Sequence, residues 1–249
     1  MKQYEAVIET LQRLGGIATL GDLNHEVFKI KDCSWKTKTP FASIRRIVQT
    51  TKGIYKIKPG LYALESHRKA LEANGCIVET DKNRNSQAMS VFNHAYYQGL
   101  LLKIGNMKRF NTFVPEQDKN KPFLNGDTTL KQLRTLQSIP HFSYDNIVKR
   151  SSTIDVIWFN ERNMPSSFFE IEHSTDIQNS LLKFYDLQDF YVRMFIVADK
   201  QRKTEFEAKM NFGAFSSLLK AHRVSFLSYD LLVKQYEQQM EKQSFDIVI

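Results

Sequence analysis

Ser-Thr-Ile-Asp-Val-Ile-Trp-Phe (152–159) and Ser-Phe-Phe-Glu-Ile-Glu-His (167–173) decide how the second half of this chain reads. Each is a short run rich in β-branched and aromatic residues, the composition of a strand buried on both faces. A carboxylate inside such a strand is costly unless something neutralises it. Side chains alternate along a strand, so Glu170 and Glu172 share one face while Phe169 and Ile171 share the other. Asp155, from the neighbouring run, supplies a third acid. Three acids on adjacent buried strands repel one another and require a cation. A divalent metal is the natural candidate.

Outward from these strands the pattern is mixed α/β. A helix over about 87–104 precedes a strand at 110–114, and 129–138 reads as helical. Beyond Glu172, Ser174-Thr175 reads as a helix cap, with Gln178 completing a capping box. The helix over 176–190 carries Ile177, Leu181, Phe184, Leu187 and Phe190 at helical spacing. A strand at 192–198, helices at 200–210 and 212–221, a strand at 224–228 and a helix at 229–241 complete the series. His94 and Gln98 stand four apart on one face of the first helix, where Gln98 could hydrogen-bond a metal-bound water. His173 ends the Glu170 strand and reads as either a phosphate contact or a packing residue.

The 249 residues suffice for one large domain or two ordinary ones, and 42% hydrophobic with 25% charged content is that of a globular protein. No apolar run reaches the ~20 residues of a membrane span, and the first residues lack an apolar leader, so a cytoplasmic location is expected. Cys33 and Cys76 stand alone, without partners at zinc-finger spacing. The net charge of +8 favours a polyanionic partner, and residues 1–72, with 13 basic and 7 acidic side chains, carry most of it. That asymmetry predicts two modules, 1–75 and 87–249, joined by a linker over 76–86 that contains Asp81-Lys-Asn-Arg-Asn-Ser86.

In the first module Tyr4, Val7, Ile8 and Leu11 mark a helix stopped at Gly15-Gly16, and a second runs over 20–28. Thr39-Pro40 caps a third, whose inner stripe is Phe41, Ile44, Ile47 and Val48. Its outer face carries Ser43, Arg45, Arg46 and Gln49. Strands at 54–58 and 61–64 then meet at Pro59-Gly60, a type II turn pair. Three helices and a hairpin is the order of a winged helix-turn-helix. In that fold the third helix enters the major groove and the hairpin lies on phosphates, which nominates Lys36, Lys38, Ser43, Arg45, Arg46, Lys56 and Lys58 for double-stranded DNA. An ordinary solvated basic face is the alternative.

Tyr4-Glu5-Ala6, Leu11, Trp35-Lys-Thr-Lys-Thr-Pro40 and Gly60-Leu-Tyr-Ala-Leu64 resemble the HARE-type winged helix of chromatin regulators and some restriction endonucleases. Ile-Asp-Val-Ile-Trp-Phe (154–159), Phe-Glu-Ile-Glu-His-Ser-Thr (169–175) and Leu-Leu-Lys…Asp-Leu (181–187) resemble the PD-(D/E)XK nucleases, and more closely restriction endonuclease-like proteins of bacteria. The fold implied is a winged helix followed by a PD-(D/E)XK mixed-sheet core. The activity implied is Mg²⁺-dependent hydrolysis of DNA at specific sites, with base modification a possible requirement and a homodimer expected for double-strand cleavage. On that resemblance Asp155 and Glu170 bind one or two Mg²⁺ ions with the Ile171 carbonyl, and Glu172 occupies the usual lysine place as base or second-metal ligand. Lys183 is the compensating cation. Two alternatives stay open: a non-catalytic DNA-binding regulator on a degenerate nuclease fold, and a repair or branched-DNA nuclease.

Overall fold

The computed structural model describes residues 1–80, 82–84 and 86–248, with side chains to residue 244; Asp81 and Asn85 of the expected linker lie outside the described residues. The chain forms two compact units. One comprises Met1–Phe92, Leu124–Asp127 and Val233–Ile249; the other comprises Asn93–Phe123 and Thr128–Leu232. Residues 87–92 and 233–249, expected with the second module, thus belong to the first unit.

The first unit opens with α1 (Gln3–Arg13), β1 (Ile17–Thr19), α2 (Leu20–Glu26) and α3 (Pro40–Thr50). It continues through β2 (Ile54–Lys58), β3 (Leu61–Leu64) and the short α4 (Arg68–Ala73). Leu11, Leu20, Leu23, Val27, Ile44, Val48 and Tyr62 pack its core. Thr19 caps α2 by accepting from the Asp22 amide at 3.0 Å. The expected side-chain cap at Thr39 does not form; Pro40 alone opens α3. β1 was not foreseen, because three buried residues between a glycine pair and a helix carry too little periodicity to announce a strand. It completes an antiparallel sheet of order β1-β3-β2. Gly60 turns β2 into β3 at φ 73°, and a Cβ there would meet Val233 at 2.4 Å, so both the turn and the packing demand glycine.

In the second unit, α5 (Gln87–Met107) contributes residues from Asn93 onward. Most of that stretch is buried, which explains why it is apolar on all sides rather than striped. β4 (Asn111–Phe113), the two-residue strands β5 (Pro122–Phe123) and β6 (Thr128–Thr129), α6 (Leu130–Leu133) and α7 (Asp145–Ser151) follow. Next come β7 (Val156–Phe159), β8 (Pro165–Glu172), α8 (Ile177–Asp186) and β9 (Arg193–Ala198). α9 (Lys203–Met210), α10 (Ser216–Ala221), β10 (Val224–Ser228) and α11 (Tyr229–Val248) end the chain. The main sheet has the order β10-β9-β8-β7-β4. β4, β7 and β8 pair antiparallel, while β8-β9 and β9-β10 are parallel, each bridged by a helical crossover.

Two helical expectations fail locally. The 129–138 helix stops at Leu133, because the Arg134 guanidinium is tied to the carbonyls of Val114 (3.1 Å) and Gln137 (2.7 Å), and Arg134 itself is extended. α8 is capped by Asp176, whose side chain accepts from the Gln178 amide at 2.9 Å, rather than by Ser174-Thr175. Thr175 is used elsewhere.

Candidate active site

The β7-β8 register pairs Val156 with Phe169, so the next step along the ladder sets Asp155 across from Glu170. Cross-strand partners point to one face, and Glu172 shares it. Asp155, Glu170 and Glu172 are only 8%, 2% and 4% exposed. Asp155 Oδ2 accepts from the Ile171 amide at 2.7 Å, which fastens the end of β7 to β8.

α8 supplies the compensation. Ser180 and Lys183, three residues apart, face the strands together. Lys183 Nζ lies 2.8 and 3.0 Å from the two Glu170 oxygens and 3.0 Å from the Thr153 carbonyl. Ser180 Oγ stands 2.9 Å from Glu170 Oε2 and also bonds Glu172, while the Thr175 hydroxyl donates to Glu172. One hydroxyl proton serves one carboxylate at a time, so Ser180 does not satisfy both glutamates. The electrostatics agree. Burial, then the Asp155 charge, push the Glu170 carboxyl well above the ordinary range against the pull of Lys183. Burial also raises Glu172 against the bonds from Ser180 and Thr175. Asp155 goes the other way: burial opposes its charge, but His94, the Ile171 amide and Lys183 hold its carboxyl low.

α5 closes the other side. His94 Nε2 lies 3.3 Å from Asp155 Oδ1 and 3.9 Å from Asp118 Oδ2. Gln98, one turn on, donates to Asp118 Oδ2 at 2.8 Å and to the Asp155 carbonyl at 3.0 Å. The Gln98 amide thus fixes two acidic residues directly, where a water partner had been considered. His173 lies 3.3 Å from Asn93 Nδ2 and is half-buried. Asp118 was not foreseen. It sits in the polar stretch Glu116–Lys121, where no periodicity separates one acid from another; the shared helical face of His94 and Gln98 was the available hint.

The basic residues of the first unit do not converge in this way. Lys36, Lys38, Arg46 and Lys56 are exposed, and Ser43 is half-buried. Arg45 is paired with Glu237 of α11 at 2.8 Å. Lys58 is a correction: it is 4% exposed, with Nζ 5.0 Å from the Phe92 ring centre, and is not a surface phosphate contact. Strict alternation would have put Lys56 and Lys58 on one face. A register irregularity between them breaks the alternation and turns Lys58 inward. Burial lowers its ammonium pKa to about 7.

Residues 77–247 match the family model described as type II restriction enzyme NmeDI C-terminal domain. The chain belongs to this family. A relative in Neisseria meningitidis serogroup C, the type II restriction enzyme NmeDI, is 25% identical over 135 residues, which is 50% of this chain and 38% of that protein. The chain therefore spans little more than a third of that relative's length. No solved structure matches it. Among the described residues no helix is long and apolar enough to cross a membrane.

Proposed function

We propose that this NmeDI-family chain is a restriction-type DNA endonuclease with a PD-(D/E)XK core in its second unit and a DNA-reading winged helix in its first. The observation that carries the reading is the place of Asp155, one residue before β7, fastened to the Ile171 amide next to Glu170, with Lys183 bound to Glu170. The donor atoms are of the kind a hard divalent cation such as Mg²⁺ takes: the carboxylates of Asp155 and Glu170, plus the Ile171 carbonyl, which leaves the same strand edge as the amide bound to Asp155. Asp155, Glu170 and Ile171 would hold it. Bound there, Mg²⁺ would polarise the phosphodiester and neutralise the leaving alkoxide.

The chain's own residues do the rest. Asp155, whose surroundings favour its charge, would hold the cation, and Glu170 would hold it as a carboxylate. Lys183 keeps Glu170 fixed and sits where a positive charge can meet a phosphate oxygen. Glu172, raised by burial, takes the proton of the attacking water. The water oxygen bonds to phosphorus as the bond from phosphorus to one ester oxygen breaks, and that oxygen takes a proton from solvent. One such site cuts one strand, so double-strand cleavage requires two copies, most simply as a homodimer.

A second reading, a DNA-binding regulator without activity, is favoured by the ion pair that occupies both Glu170 oxygens. Incubation of methylated and unmethylated plasmid with Mg²⁺ separates the two. The nuclease reading expects nicked or linear products from the parent chain on at least one plasmid and none from Glu170→Gln; intact plasmids throughout would leave the regulator.

A further inference from the structure

We infer that His94, Asp118 and Asp155 form a cation site of their own, suited to a borderline divalent ion such as Mn²⁺, Co²⁺ or Zn²⁺ rather than to Mg²⁺. One ligand atom from each residue lies within 4.8 Å of the others, and His94 Nε2 is 3.3 and 3.9 Å from the nearest carboxylate oxygens. Two ligands each about 2.0–2.2 Å from one ion stand roughly 3–3.5 Å apart at tetrahedral or adjacent octahedral positions, so small rotations close the set.

Both aspartates are held by a second contact that leaves an oxygen lone pair unused. Asp155 uses Oδ2 for the Ile171 amide, which leaves Oδ1 facing His94. Asp118 binds Lys121 through Oδ1 at 2.6 Å, and its Oδ2 accepts one bond from Gln98 and keeps a second lone pair. His94 Nε2 is buried between the two acids, paired with Asp155 Oδ1 at 3.3 Å, in the place where a metal ion bound to the neutral ring would take over that contact. Gln98 adds an independent sign. It is fully buried, its amide nitrogen bridges two of the three ligand residues, and its Oε1 has no partner among the described residues. A fully buried amide left half-satisfied to position two acids is the pattern of a support for metal ligands.

The choice of ion follows from the imidazole. A neutral ring nitrogen suits first-row transition ions, whereas Mg²⁺ prefers carboxylates and water. Because Asp155 is shared with the proposed nuclease centre, a catalytic role for this ion rests on that reading. Ion uptake at His94 does not.

The test is titration of the full chain with Co²⁺, without DNA, followed by visible absorption and calorimetry. The parent chain takes up one Co²⁺ whose d–d bands persist in excess Mg²⁺. His94→Ala and the near-isosteric Asp118→Asn each weaken uptake about 100-fold or more, Gln98→Ala weakens it about tenfold, and Glu170→Gln leaves it unchanged. Circular dichroism establishes that each variant is folded, and Asp118→Asn decides the matter should His94→Ala fail to fold. No Co²⁺ uptake by the parent, parental affinity in His94→Ala and Asp118→Asn, or loss of uptake in Glu170→Gln would each overturn the inference. Uptake as described without any DNA cleavage would sink the nuclease reading alone.

Discussion

The acids between β7 and α8 and the lysine at the end of β2 are both charges taken out of water, and the protein treats them differently. Asp155, Glu170 and Glu172 are surrounded by matched partners, namely Lys183, Ser180, Thr175, His94 and a backbone amide. Lys58 enters its core beside an aromatic ring, and its burial is expressed as a lowered proton affinity. Acids gathered from two strands and pinned by a helix are costly as pure architecture, since apolar residues fill such space as well or better. A single inward lysine at a strand irregularity follows from register. The first pattern is what the proposed reaction centre requires; the second follows from strand register and is expressed in the lysine's lowered pKa.

Asp155→Asn breaks the comparison at its strongest point. Cleavage of plasmid under single-turnover conditions should fall by about 10³-fold, because the ligand set loses the carboxylate whose charge its surroundings favour most; near-parental rates would reduce the acid cluster to architecture. Lys183→Met sharpens it. Glu170 must lose its proton to bind a cation, its carboxyl is already raised, and Lys183 opposes that rise. Without the lysine the carboxyl climbs further, so the acid limb of the pH–rate profile should move to higher pH, by roughly one unit. An unmoved limb would separate Lys183 from the chemistry.

Lys58→Met probes the other region through stability. The folded pKa of about 7 lies below the ordinary 10.5, so between those values the unfolded chain binds more protons and parental stability rises with pH. Below pH 7 the parent carries the whole penalty. The methionine variant should therefore be more stable there, by on the order of a few kcal/mol in urea unfolding, and the gap should close as pH approaches 10. A pH-independent gap would show that Lys58 is not the group being titrated. The smallest effects belong to DNA affinity. Arg46→Ala and Lys56→Ala should each lower the salt slope by about 0.9, whereas Arg45→Ala, whose side chain already pairs with Glu237, should lower it less. Equal slopes for all three would dissolve that distinction.

The legibility of the sequence follows the same division. The strands at 54–58, 61–64 and 224–228 coincide with β2, β3 and β10, since apolar runs punctuated by Pro59-Gly60 or by charged helices leave little choice. The burial of Asp155, Glu170 and Glu172 on neighbouring strands was readable, because apolar flanks and alternation suffice to place them. Lys183 was nominated as the compensating cation on the helix after Glu172, and its ammonium lies 2.8 Å from Glu170. Asp118 was not, because a loop acid is brought to the site by tertiary contacts with Gln98 and Lys121 that no local pattern records. Lys58 misled for the opposite reason: alternation was applied across an irregularity that sequence does not mark. The Arg45–Glu237 pair joins residues 192 apart, beyond the reach of any local rule.

The central claim is that the buried acids between β7 and α8 grip a divalent cation beside DNA. Calorimetric titration of Mg²⁺ into the full chain with a DNA duplex, run in parallel on the double variant Asp155→Asn/Glu170→Gln, tests it most directly. The account expects saturable ion uptake by the parent and its loss in the variant. Equal uptake in both, or none in the parent, would contradict it.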